Sequence, residues 1–404
     1  MKVLQINAVY EKYSTGRTTK ELHEELLKMG IESYIACPDL SGLKENAYKI
    51  GNKLDRKMHA FFSRVSGKQG YFSRISTKKL IKYIDQINPD IVFLRNLHGN
   101  YINVPMLLKY LARNNKAVII TLHDCWFYTG KCVDYIDKKC DKWMYKCGSC
   151  PSIKDGNKSL FFDKSESVLL DKKELFNDID RLAVVGVSQW VTNDAKKSIL
   201  KNAKVIKCIY NWIDLELFKP YCKSMLREKL GLKDKFIILG IATNWNKCKG
   251  IDVFNKLADE LSEEYKIILV GNKETIEVKN PKIKYLGIIH DVHELAELYS
   301  AADVFVNPST HETFGKTTAE AISCGTPVIA YNGTATPELI GVDEKCGYLI
   351  NENDSQKYIE KIEEIHKIGK SVYEKECRKR AEMLFNKEKN IEEYIKLMSA
   401  LKND

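Results

Sequence analysis

The chain contains two successive series in which short apolar strands alternate with helices. The first series includes the runs PDIVFLRN at 89–96 and KAVIITLHD at 116–124, and the second begins with FIILGIAT at 236–243. Short runs rich in β-branched residues are typical of strands buried on both faces of a parallel sheet. Two such series in 404 residues predict an α/β protein with two Rossmann-like domains that face each other across a cleft.

The domain boundaries follow from where this alternation stops. Residues 1–211 form the predicted first domain, and residues 234–385 form the predicted second domain. The polar stretch 212–233 lies between them and is interpreted as a linker. Residues 386–404 are charged and helical in pattern. A chain of this length and composition buries a full core in each domain.

The segment that begins at Glu312 reads ETFGKTTAEAISCGTPVIAY. Glu312 and Glu320 are eight positions apart, and Phe314-Gly315-Lys316 opens a helix between them. A helix start offers free backbone N–H groups and the positive end of the helix dipole, which suits a phosphate. A carboxylate on each side suits a ligand that joins phosphate to hydroxyl-rich rings. Two glutamates at this spacing alone also occur on solvated helix faces.

The whole string resembles the E-x7-E signature of family 4 retaining glycosyltransferases, including the wording FGK-x-x-x-E-A-x-x-C-G-T-P-V-I. The resemblance implies a GT-B fold, in which the C-terminal helix, here 386–404, crosses back to the first domain. It also implies that Glu312 contacts the hydroxyls of the donor sugar and that Glu320 contacts those of the ribose. The other residues expected around the donor in this segment are Phe314, Gly315, Lys316 and Thr317.

Lys249 opens the first helix of the second domain. An ammonium group there can pair with the departing diphosphate, where negative charge grows in the transition state. The family has an arginine as well as a lysine in this region, whereas this chain has Asn244, Trp245, Lys247 and Cys248. We expect Lys247 to replace the arginine in donor binding. A solvated lysine at a helix start is the alternative.

The first loop of the chain, predicted between strand 2–9 and the first helix, contains Gly16 and Arg17. Glycine lets the backbone approach a ligand closely, although a plain turn explains a single glycine equally well. The resemblance places this loop next to the donor diphosphate and the acceptor. Gly16 is therefore expected at the donor and Arg17 at the acceptor.

His123 and Asp124 follow the apolar run AVIITL. They lie at the carboxyl end of a predicted strand, where open α/β sheets bind ligands. A histidine at a strand end is often structural, but the resemblance places it near the donor sugar. We expect His123 to position the substrate and stabilise charge, together with Glu312 and Lys249. His98 and Asn100 end an earlier strand and are expected, with Asp124, on the acceptor side.

The stretch 125–151 is rich in cysteine. Cys132, Cys140, Cys147 and Cys150 have the spacing C-x7-C-x6-C-x2-C, and four thiolates match a closed structural zinc site. Two disulfides or reduced thiols are the alternatives. Family members with an HD-x-W strand end have a similar loop, which implies a role in shaping the cleft. Twelve cysteines without a secretion pattern favour a reducing compartment, the cytoplasm.

Residues 56–82 contain eight Lys or Arg and no acidic residue, with Phe61, Phe62, Tyr71 and Phe72 among them. Such a stretch suits an anionic membrane surface or a phosphorylated lipid carrier. A solvated helix pair whose aromatics serve the core is the alternative. No nucleic-acid-binding motif accompanies the charge, and no run reaches the ~18 apolar residues of a membrane span. We expect a cytoplasmic protein that contacts the inner membrane face peripherally.

These features together predict a retaining glycosyltransferase. It would move a hexosyl unit from a nucleoside diphosphate sugar, UDP-sugar foremost, to a hydroxyl of a polysaccharide or lipid-linked oligosaccharide. The family's favoured route is front-face attack, and no metal or cofactor is expected for catalysis. A sugar-nucleotide epimerase of the same architecture and a non-catalytic sugar-nucleotide-binding scaffold remain open. Neither domain start has the full G-x-G-x-x-G of a nicotinamide-dependent dehydrogenase.

Overall fold

The computed structural model describes residues 1–272, 280–351 and 354–403. They form two compact units. The first unit comprises Met1–Ile209 together with the chain from Ile391 onward, and the second comprises Tyr210–Asn390. Each unit is built on one sheet whose strand pairs are parallel. The predicted fold class, with two parallel-sheet α/β domains, is confirmed.

The sheet of the first unit has seven strands in the order β3-β2-β1-β4-β5-β6-β7. The strands are β1 (Lys2–Ile6), β2 (Glu32–Cys37), β3 (Ala47–Lys49), β4 (Ile91–Leu94), β5 (Ala117–Leu122), β6 (Leu182–Gly186) and β7 (Val205–Cys208). Every residue of β4, β5 and β6 is buried. This is the burial that continuous apolar runs predict for the centre of a parallel sheet.

Helices connect the strands of the first unit. They are α1 (Tyr13–Lys28), α2 (Lys53–Ser66), α3 (Arg74–Ile87), α4 (Val104–Arg113), α5 (Ser165–Asn177) and α6 (Gln189–Lys197). The side chains of Asn103 and Ser188 cap α4 and α6 by accepting hydrogen bonds from backbone N–H groups of the first turn. Such caps satisfy donors that a helix start leaves without intrahelical partners.

The second unit has a six-stranded sheet in the order β10-β9-β8-β11-β12-β13. The strands are β8 (Phe236–Ile241), β9 (Tyr265–Val270), β10 (Ile283–Tyr285), β11 (Val304–Asn307), β12 (Val328–Tyr331) and β13 (Gly347–Ile350). The helices are α7 (Ser224–Leu230), α8 (Ile251–Glu260), α9 (Val292–Ala301), α10 (Lys316–Ser323), α11 (Thr336–Ile340), α12 (Ser355–Ile368) and α13 (Ser371–Leu384).

The last helix, α14 (Lys387–Asn403), returns the chain to the first unit. Its buried residues include Tyr394, whose ring centroid lies 5.5 Å from that of Phe93 in β4. The part that joins the first unit begins at Ile391, whereas the sequence analysis placed the returning helix from residue 386. The return itself is the one expected of the GT-B fold.

Several local expectations differ from the structure. The stretch 212–233, interpreted as a linker, belongs to the second unit; it contains α7 and buries Trp212 and Phe218. The strands β3 and β13 were not anticipated.

Candidate active site

Each sheet has one place where the strand order reverses. The reversal lies between β1 and β4 in the first unit and between β8 and β11 in the second. The loops that leave the carboxyl ends of such strands run in opposite directions, and open α/β proteins bind ligands in the crevice between them. Most residues that the sequence analysis singled out follow these strands or their neighbours β5 and β12.

In the second unit, the loops that follow β8 and β11 pack directly on each other. The backbone N–H of Thr310 donates a hydrogen bond to the carbonyl of Cys248 at 3.1 Å. Gly250 has φ +73°, and a Cβ at this position would lie 2.3 Å from Cγ of Pro308. Because only glycine combines that conformation with that approach, Gly250 allows the two loops to meet.

Lys249 and Glu312 form an ion pair where these loops meet. Nζ of Lys249 lies 2.6 Å from Oε1 of Glu312 and donates to Oγ of Ser309 at 3.1 Å. The backbone N–H of Glu312 donates to Oγ1 of Thr334 at 2.9 Å, so the loop after β12 also holds this residue. The two side chains are 33% and 18% exposed. The structure thus brings together two predicted donor-site residues and leaves them accessible.

Helix α10 begins beside this ion pair. Gly315 precedes it with φ +91°, and a Cβ on Gly315 would lie 3.7 Å from Cβ of Glu312. Lys316 and Thr317 are the first two residues of the helix and are half-buried. The first N–H groups of a helix have no intrahelical partner, and the dipole makes this end positive. An anionic group therefore suits the space between this helix start and Lys249.

Phe314 and Glu320 are buried, unlike Lys316 and Thr317. Phe314 is 4% exposed and packs against the rings of Tyr210 and Phe385, with centroid distances of 6.5 and 5.7 Å. Glu320 is 3% exposed, and its Oε2 accepts a hydrogen bond from the hydroxyl of Tyr299 at 3.0 Å. Phe314 therefore anchors the loop before α10. The contact of Glu320 with a ribose stays a prediction.

Lys247 lies close to Lys249 in sequence but in a different environment. Both belong to the short 3₁₀ turn Lys247–Lys249, and Lys247 is exposed, whereas Lys249 is half-buried. The N-cap of this turn is Asn246, whose side chain accepts a hydrogen bond from the backbone N–H of Lys249 at 2.9 Å. The turn thus fixes the position of Lys249 more firmly than that of Lys247, whose role at the donor stays a prediction.

In the first unit, His123 contacts a buried arginine that the sequence analysis missed. Arg95 directly follows β4 and is 1% exposed, and its Nη1 lies 3.0 Å from Nε2 of His123. Its Nε donates to Oε1 of Gln5 at 3.2 Å, and the guanidinium lies 4.9 Å from the ring centroid of Phe93. A charged side chain at the end of a buried strand needs polar partners. The arginine that ends the apolar run in PDIVFLRN is therefore a sequence signal for a buried polar contact.

The contact with Arg95 decides the protonation state of His123. Because a guanidinium only donates, Nε2 of His123 accepts, and the neutral ring carries its proton on Nδ1. Burial, together with the charge of Arg95, lowers the pKa of His123 to about 3. Burial also lowers the pKa of Arg95 to about 10, which leaves the guanidinium charged at neutral pH. His123 is therefore a neutral hydrogen-bond donor rather than a cation.

Asp124 and His98 form a second pair in the first unit. Nε2 of His98 lies 2.8 Å from Oδ2 of Asp124, and the backbone N–H of Trp126 donates to Oδ1 at 2.9 Å. Burial opposes ionisation of both groups, but the charge and hydrogen bond of each partner outweigh it; they raise the pKa of His98 and lower that of Asp124. Asn100, also predicted for the acceptor side, has a left-handed backbone with φ +57°.

The structure places Gly16 and Arg17 in a helix instead of the predicted loop. Helix α1 begins at Tyr13, so both residues lie in its first turns. A Cβ on Gly16 would lie 3.0 Å from the backbone N of Glu11, whose N–H donates to the carbonyl of Gly16 at 3.0 Å. Gly16 therefore lets the turn after β1 pack onto the helix. Arg17 is half-buried on the same helix.

The cysteine-rich loop between β5 and α5 encloses a small cavity of about 20 Å³. Its wall includes Cys132, Cys140, Cys147 and Cys150, which are all free thiols. The thiol of Cys132 donates a hydrogen bond to the sulfur of Cys150. This bond raises the pKa of Cys132 and lowers the pKa of Cys150 to about 6. The four predicted metal ligands thus share one cavity, and the zinc assignment stays a prediction.

A group of exposed apolar side chains lies on α2 and on the nearby loop 160–162. We call it the apolar surface; its members are Leu54, Met58, Phe61, Phe62, Leu160, Phe161 and Phe162. The backbone N–H of Leu160 donates to the carbonyl of Arg64 at 2.7 Å, so the loop adjoins the end of the helix. The helix also exposes the basic residues Lys53, Arg56, Lys57 and Arg64. None of the described helices combines the length and the apolarity that crossing a bilayer requires.

Comparison with protein families gives two matches. Residues 15–217 match the model described as "Glycosyltransferase Family 4", and residues 234–367 match the model described as "Glycosyl transferases group 1". The first match alone covers just over half of the 404 residues. The first match covers most of the first unit and extends to residue 217 of the second, and the second match lies within the second unit.

Curated relatives match only part of their length. The chain is 32% identical over 175 residues to a D-inositol 3-phosphate glycosyltransferase of Stackebrandtia nassauensis, which covers 38% of this chain and 39% of that protein. It is 26% identical over 223 residues to the protein of the same name from Corynebacterium diphtheriae, covering 50% and 52%. The O-antigen chain mannosyltransferase B of Escherichia coli is 44% identical over 72 residues, 18% of each chain. The chain thus spans about half or less of the relatives that it matches.

Solved structures match over nearly the whole chain. Sucrose-phosphate synthase from Thermosynechococcus elongatus has a TM-score of 0.72 at 18% identity, covering 99% of this chain and 98% of that one. The HepE protein of Anabaena in complex with UDP has a TM-score of 0.68 at 17% identity, covering 99% and 100%. At such identities the likeness shows the fold that these chains share.

Proposed function

Because this chain belongs to Glycosyltransferase Family 4, we propose that it is a retaining glycosyltransferase. It transfers a hexosyl unit from a nucleoside diphosphate sugar to a hydroxyl group of a polysaccharide or lipid-linked oligosaccharide. UDP-sugars are the first donors to test, because the Anabaena structural neighbour binds UDP-glucose. The partial match to an O-antigen chain mannosyltransferase supports a glycan acceptor.

The observation that carries this proposal is the Lys249–Glu312 ion pair beside the start of α10. A donor would exchange this pair for its own contacts. The diphosphate would take the ammonium of Lys249 and the free N–H groups at Gly315 and Lys316, where helix dipole and charge act together. Glu312, released from Lys249, would then accept hydrogen bonds from sugar hydroxyls.

The proposed reaction is a front-face substitution. The acceptor oxygen forms a bond to the anomeric carbon while the bond from that carbon to the diphosphate oxygen breaks. The leaving phosphate oxygen takes the acceptor proton, so atoms and charge balance without a covalent enzyme intermediate. Lys249 and the amides of α10 would stabilise the growing negative charge. Positioning of the two substrates would supply the rest of the acceleration.

The first unit would contribute hydrogen bonds rather than an acid or base of ordinary pKa. His123 is neutral and carries a proton on Nδ1, as its contact with Arg95 requires. This N–H would donate to a donor-sugar oxygen. The Asp124–His98 pair would offer a carboxylate oxygen to an acceptor hydroxyl. The roles of His123, Asp124 and His98 are argued from the hydrogen bonds that these groups can form and from the family resemblance.

We also propose that the protein acts in the cytoplasm and contacts an anionic membrane through residues 56–82 and the apolar surface. In α2, Leu54, Met58, Phe61 and Phe62 follow an i, i+4, i+7, i+8 pattern, so they form one exposed stripe. Exposed lysines and arginines flank it, and anionic lipid attracts each with about 1 kcal/mol. Cysteines that form no disulfide suit a reducing compartment.

The test is a panel of UDP-, GDP- and ADP-sugars measured by thermal shift and then by product analysis. A bound donor raises the apparent melting temperature by mass action. We expect one nucleotide class to do so and to yield a glycoside with the donor's anomeric configuration when acceptor extract is added. If no sugar nucleotide shifts the melting temperature, the proposal fails. A new sugar nucleotide formed without acceptor would identify an epimerase, and binding with neither product would identify a scaffold.

A further inference from the structure

The cysteine-rich loop arranges four thiols around one small space. Cys132, Cys140, Cys147 and Cys150 line a cavity of about 20 Å³, which holds about one water molecule. Such a volume suits a single ion rather than an organic ligand. We infer that the four thiolates bind one divalent metal ion that prefers sulfur, with zinc as the first candidate. This inference does not depend on the proposed transferase activity.

Backbone groups already donate hydrogen bonds to two of the sulfurs. The N–H of Gly130 donates to Cys147, and the N–H of Ser152 donates to Cys150. Each bond stabilises the thiolate, which is the form that binds metal, although burial raises the pKa of Cys147 overall. In the described part of the chain, no three of the four sulfurs lie within 4.8 Å of one another. A Zn–S distance of about 2.3 Å therefore requires the loop to contract around the ion.

Two buried lysines next to the cavity have charges that a metal–thiolate centre would balance. Lys131 is 6% exposed, and its Nζ donates to the carbonyls of Ser152 and Ile153 at 2.9 and 2.8 Å. Lys172 is 3% exposed, and its Nζ donates to the carbonyls of Trp126 and Thr129.

Neither lysine forms a salt bridge with any described residue, although a buried cation is costly without a counter-charge. One divalent ion with four thiolates has a net charge of −2. This negative charge would lie next to two buried lysines, whose Nζ groups donate to backbone carbonyls of the described residues. A metal–thiolate centre would therefore supply the counter-charge that these lysines lack among the described residues.

A third observation comes from the wall of the same cavity. Trp143 lines it and is 4% exposed. Its Nε1 is buried and has no hydrogen-bond partner among the residues that the structure describes. The indole N–H can only donate, and a buried donor without a partner costs about 1–3 kcal/mol. A thiolate sulfur drawn inward by a metal ion would be a suitable acceptor.

The metal ion would have a structural role next to the candidate active site. Four protein ligands leave no open position for chemistry. Nζ of Lys172 lies 3.5 Å from the ring centroid of Trp126, and the backbone N–H of Trp126 donates to Asp124. The loop around the ion therefore supports the residue that pairs with His98.

The test measures metal in the whole chain, purified without a metal-affinity column and under reducing conditions. Elemental analysis should find about one zinc per chain. Cys147→Ser and Cys150→Ser should lose most of it, while Cys222→Ser, which removes an exposed cysteine, should keep it. Cobalt substituted for zinc in the unaltered chain should give the absorption of a tetrahedral thiolate site.

A second measurement keeps the test decisive where a serine variant does not fold. Thiol titration of the unaltered chain should show fewer reactive thiols with zinc than after chelation, by up to four. The inference is overturned if the chain contains no stoichiometric metal and its thiols react equally with and without zinc. It is equally overturned if mass spectrometry after alkylation finds the four cysteines joined in two disulfides.

Discussion

Nζ of Lys249 lies 2.6 Å from Oε1 of Glu312, which is 63 positions further along the chain. The contact joins the loop after β8 to the loop after β11, two strands that are neighbours at the reversal of the sheet. Without a donor, each side chain neutralises the other. A donor would bind at this pair. Its negative diphosphate would replace Glu312 as the partner of Lys249, and its hydroxyl groups would replace Lys249 as the partner of Glu312.

Replacing Lys249 tests its role in stabilising the leaving group. Lys249→Met should lower kcat/KM for sugar transfer by about 100-fold or more, the usual effect of removing one donor to a developing anion. Steady-state kinetics with the identified donor measure this. Lys256→Met is the matched control, because Lys256 is exposed on α8, and it should leave kcat/KM unchanged. Equal activity of both variants would remove Lys249 from the mechanism.

Glu312→Gln should separate binding from turnover. The variant removes the charge that holds Lys249, so the affinity for the nucleoside diphosphate should stay the same or increase. Turnover should fall about tenfold or more, equivalent to about 1.4 kcal/mol of transition-state stabilisation. Calorimetric titration with the nucleoside diphosphate measures the affinity, and transfer kinetics measure the turnover. Glu344→Gln, at an exposed position, is the control. Weaker diphosphate binding in Glu312→Gln would contradict the exchange of partners.

The two histidines of the first unit should titrate differently. Burial and Arg95 lower the pKa of His123 to about 3, whereas Asp124 raises the pKa of His98 despite burial. Nitrogen chemical shifts of the imidazole rings should show His123 neutral from pH 8 to about pH 4. His98 should remain protonated above its ordinary pKa of about 6.5. A His123 ring that becomes charged near pH 6 would mean that it does not accept from Arg95.

Acid should destabilise the first unit through His23 and His59. Burial lowers the pKa of each from 6.5 to about 4. Between these values the unfolded chain holds a proton that the folded chain does not, so stability falls as the pH decreases from 6.5 towards 4. At pH 5 the loss is about 2 kcal/mol for each histidine.

Denaturant unfolding at pH 7 and pH 5 measures how far the free energy of unfolding falls between these pH values. The double variant His23→Gln, His59→Gln should be less stable at pH 7, because the hydrogen bonds of these histidines to Ser33 and Ser73 are altered. Its stability should nevertheless change less between the two pH values. If the double variant loses as much stability between pH 7 and pH 5 as the unaltered chain does, other groups are responsible for the acid sensitivity.

Membrane binding should require the apolar surface. Phe61→Ser should weaken binding to vesicles with anionic lipid about tenfold, the effect of no longer burying one phenylalanine. Co-sedimentation with phosphatidylglycerol vesicles measures it, and phosphatidylcholine vesicles show whether charge contributes. Val372→Ser is the control, since Val372 is 62% exposed on α13. Binding that is equal for both lipids and both variants would exclude the proposed contact.

The fold was predictable because its central strands are buried on both faces. All residues of β4 and β5 are buried, so their sequences are continuous runs that stand out from any helix pattern. The edge strands β3 and β13 read AYK and GYLI, so neither is rich in the β-branched residues that mark a strand.

The candidate site was predictable where a motif and a backbone requirement coincide. Gly315 has a positive φ at the start of α10, and Glu312 lies next to it. The sequence motif and the backbone geometry therefore indicate the same site. Gly16 is different: it lies in α1, and the backbone of Glu11, in the turn before the helix, packs against it. A sequence does not distinguish a glycine needed for such packing from a glycine in a ligand-binding loop. Arg95 belongs to no motif; its position at the end of a buried strand is the one sequence signal, and its contact with His123 is seen only in the structure.

The return of α14 to the first unit has a consequence for the order of synthesis. Tyr394, Leu397 and Met398 are buried in a unit whose other residues end at Ile209. A ribosome makes all of Tyr210–Asn390 between these parts, which takes roughly 10–40 s at ~5–20 residues per second. During that interval the first unit lacks its last helix, which packs Tyr394 against Phe93. A chaperone that recognises exposed apolar surface has that time to bind beside Phe93.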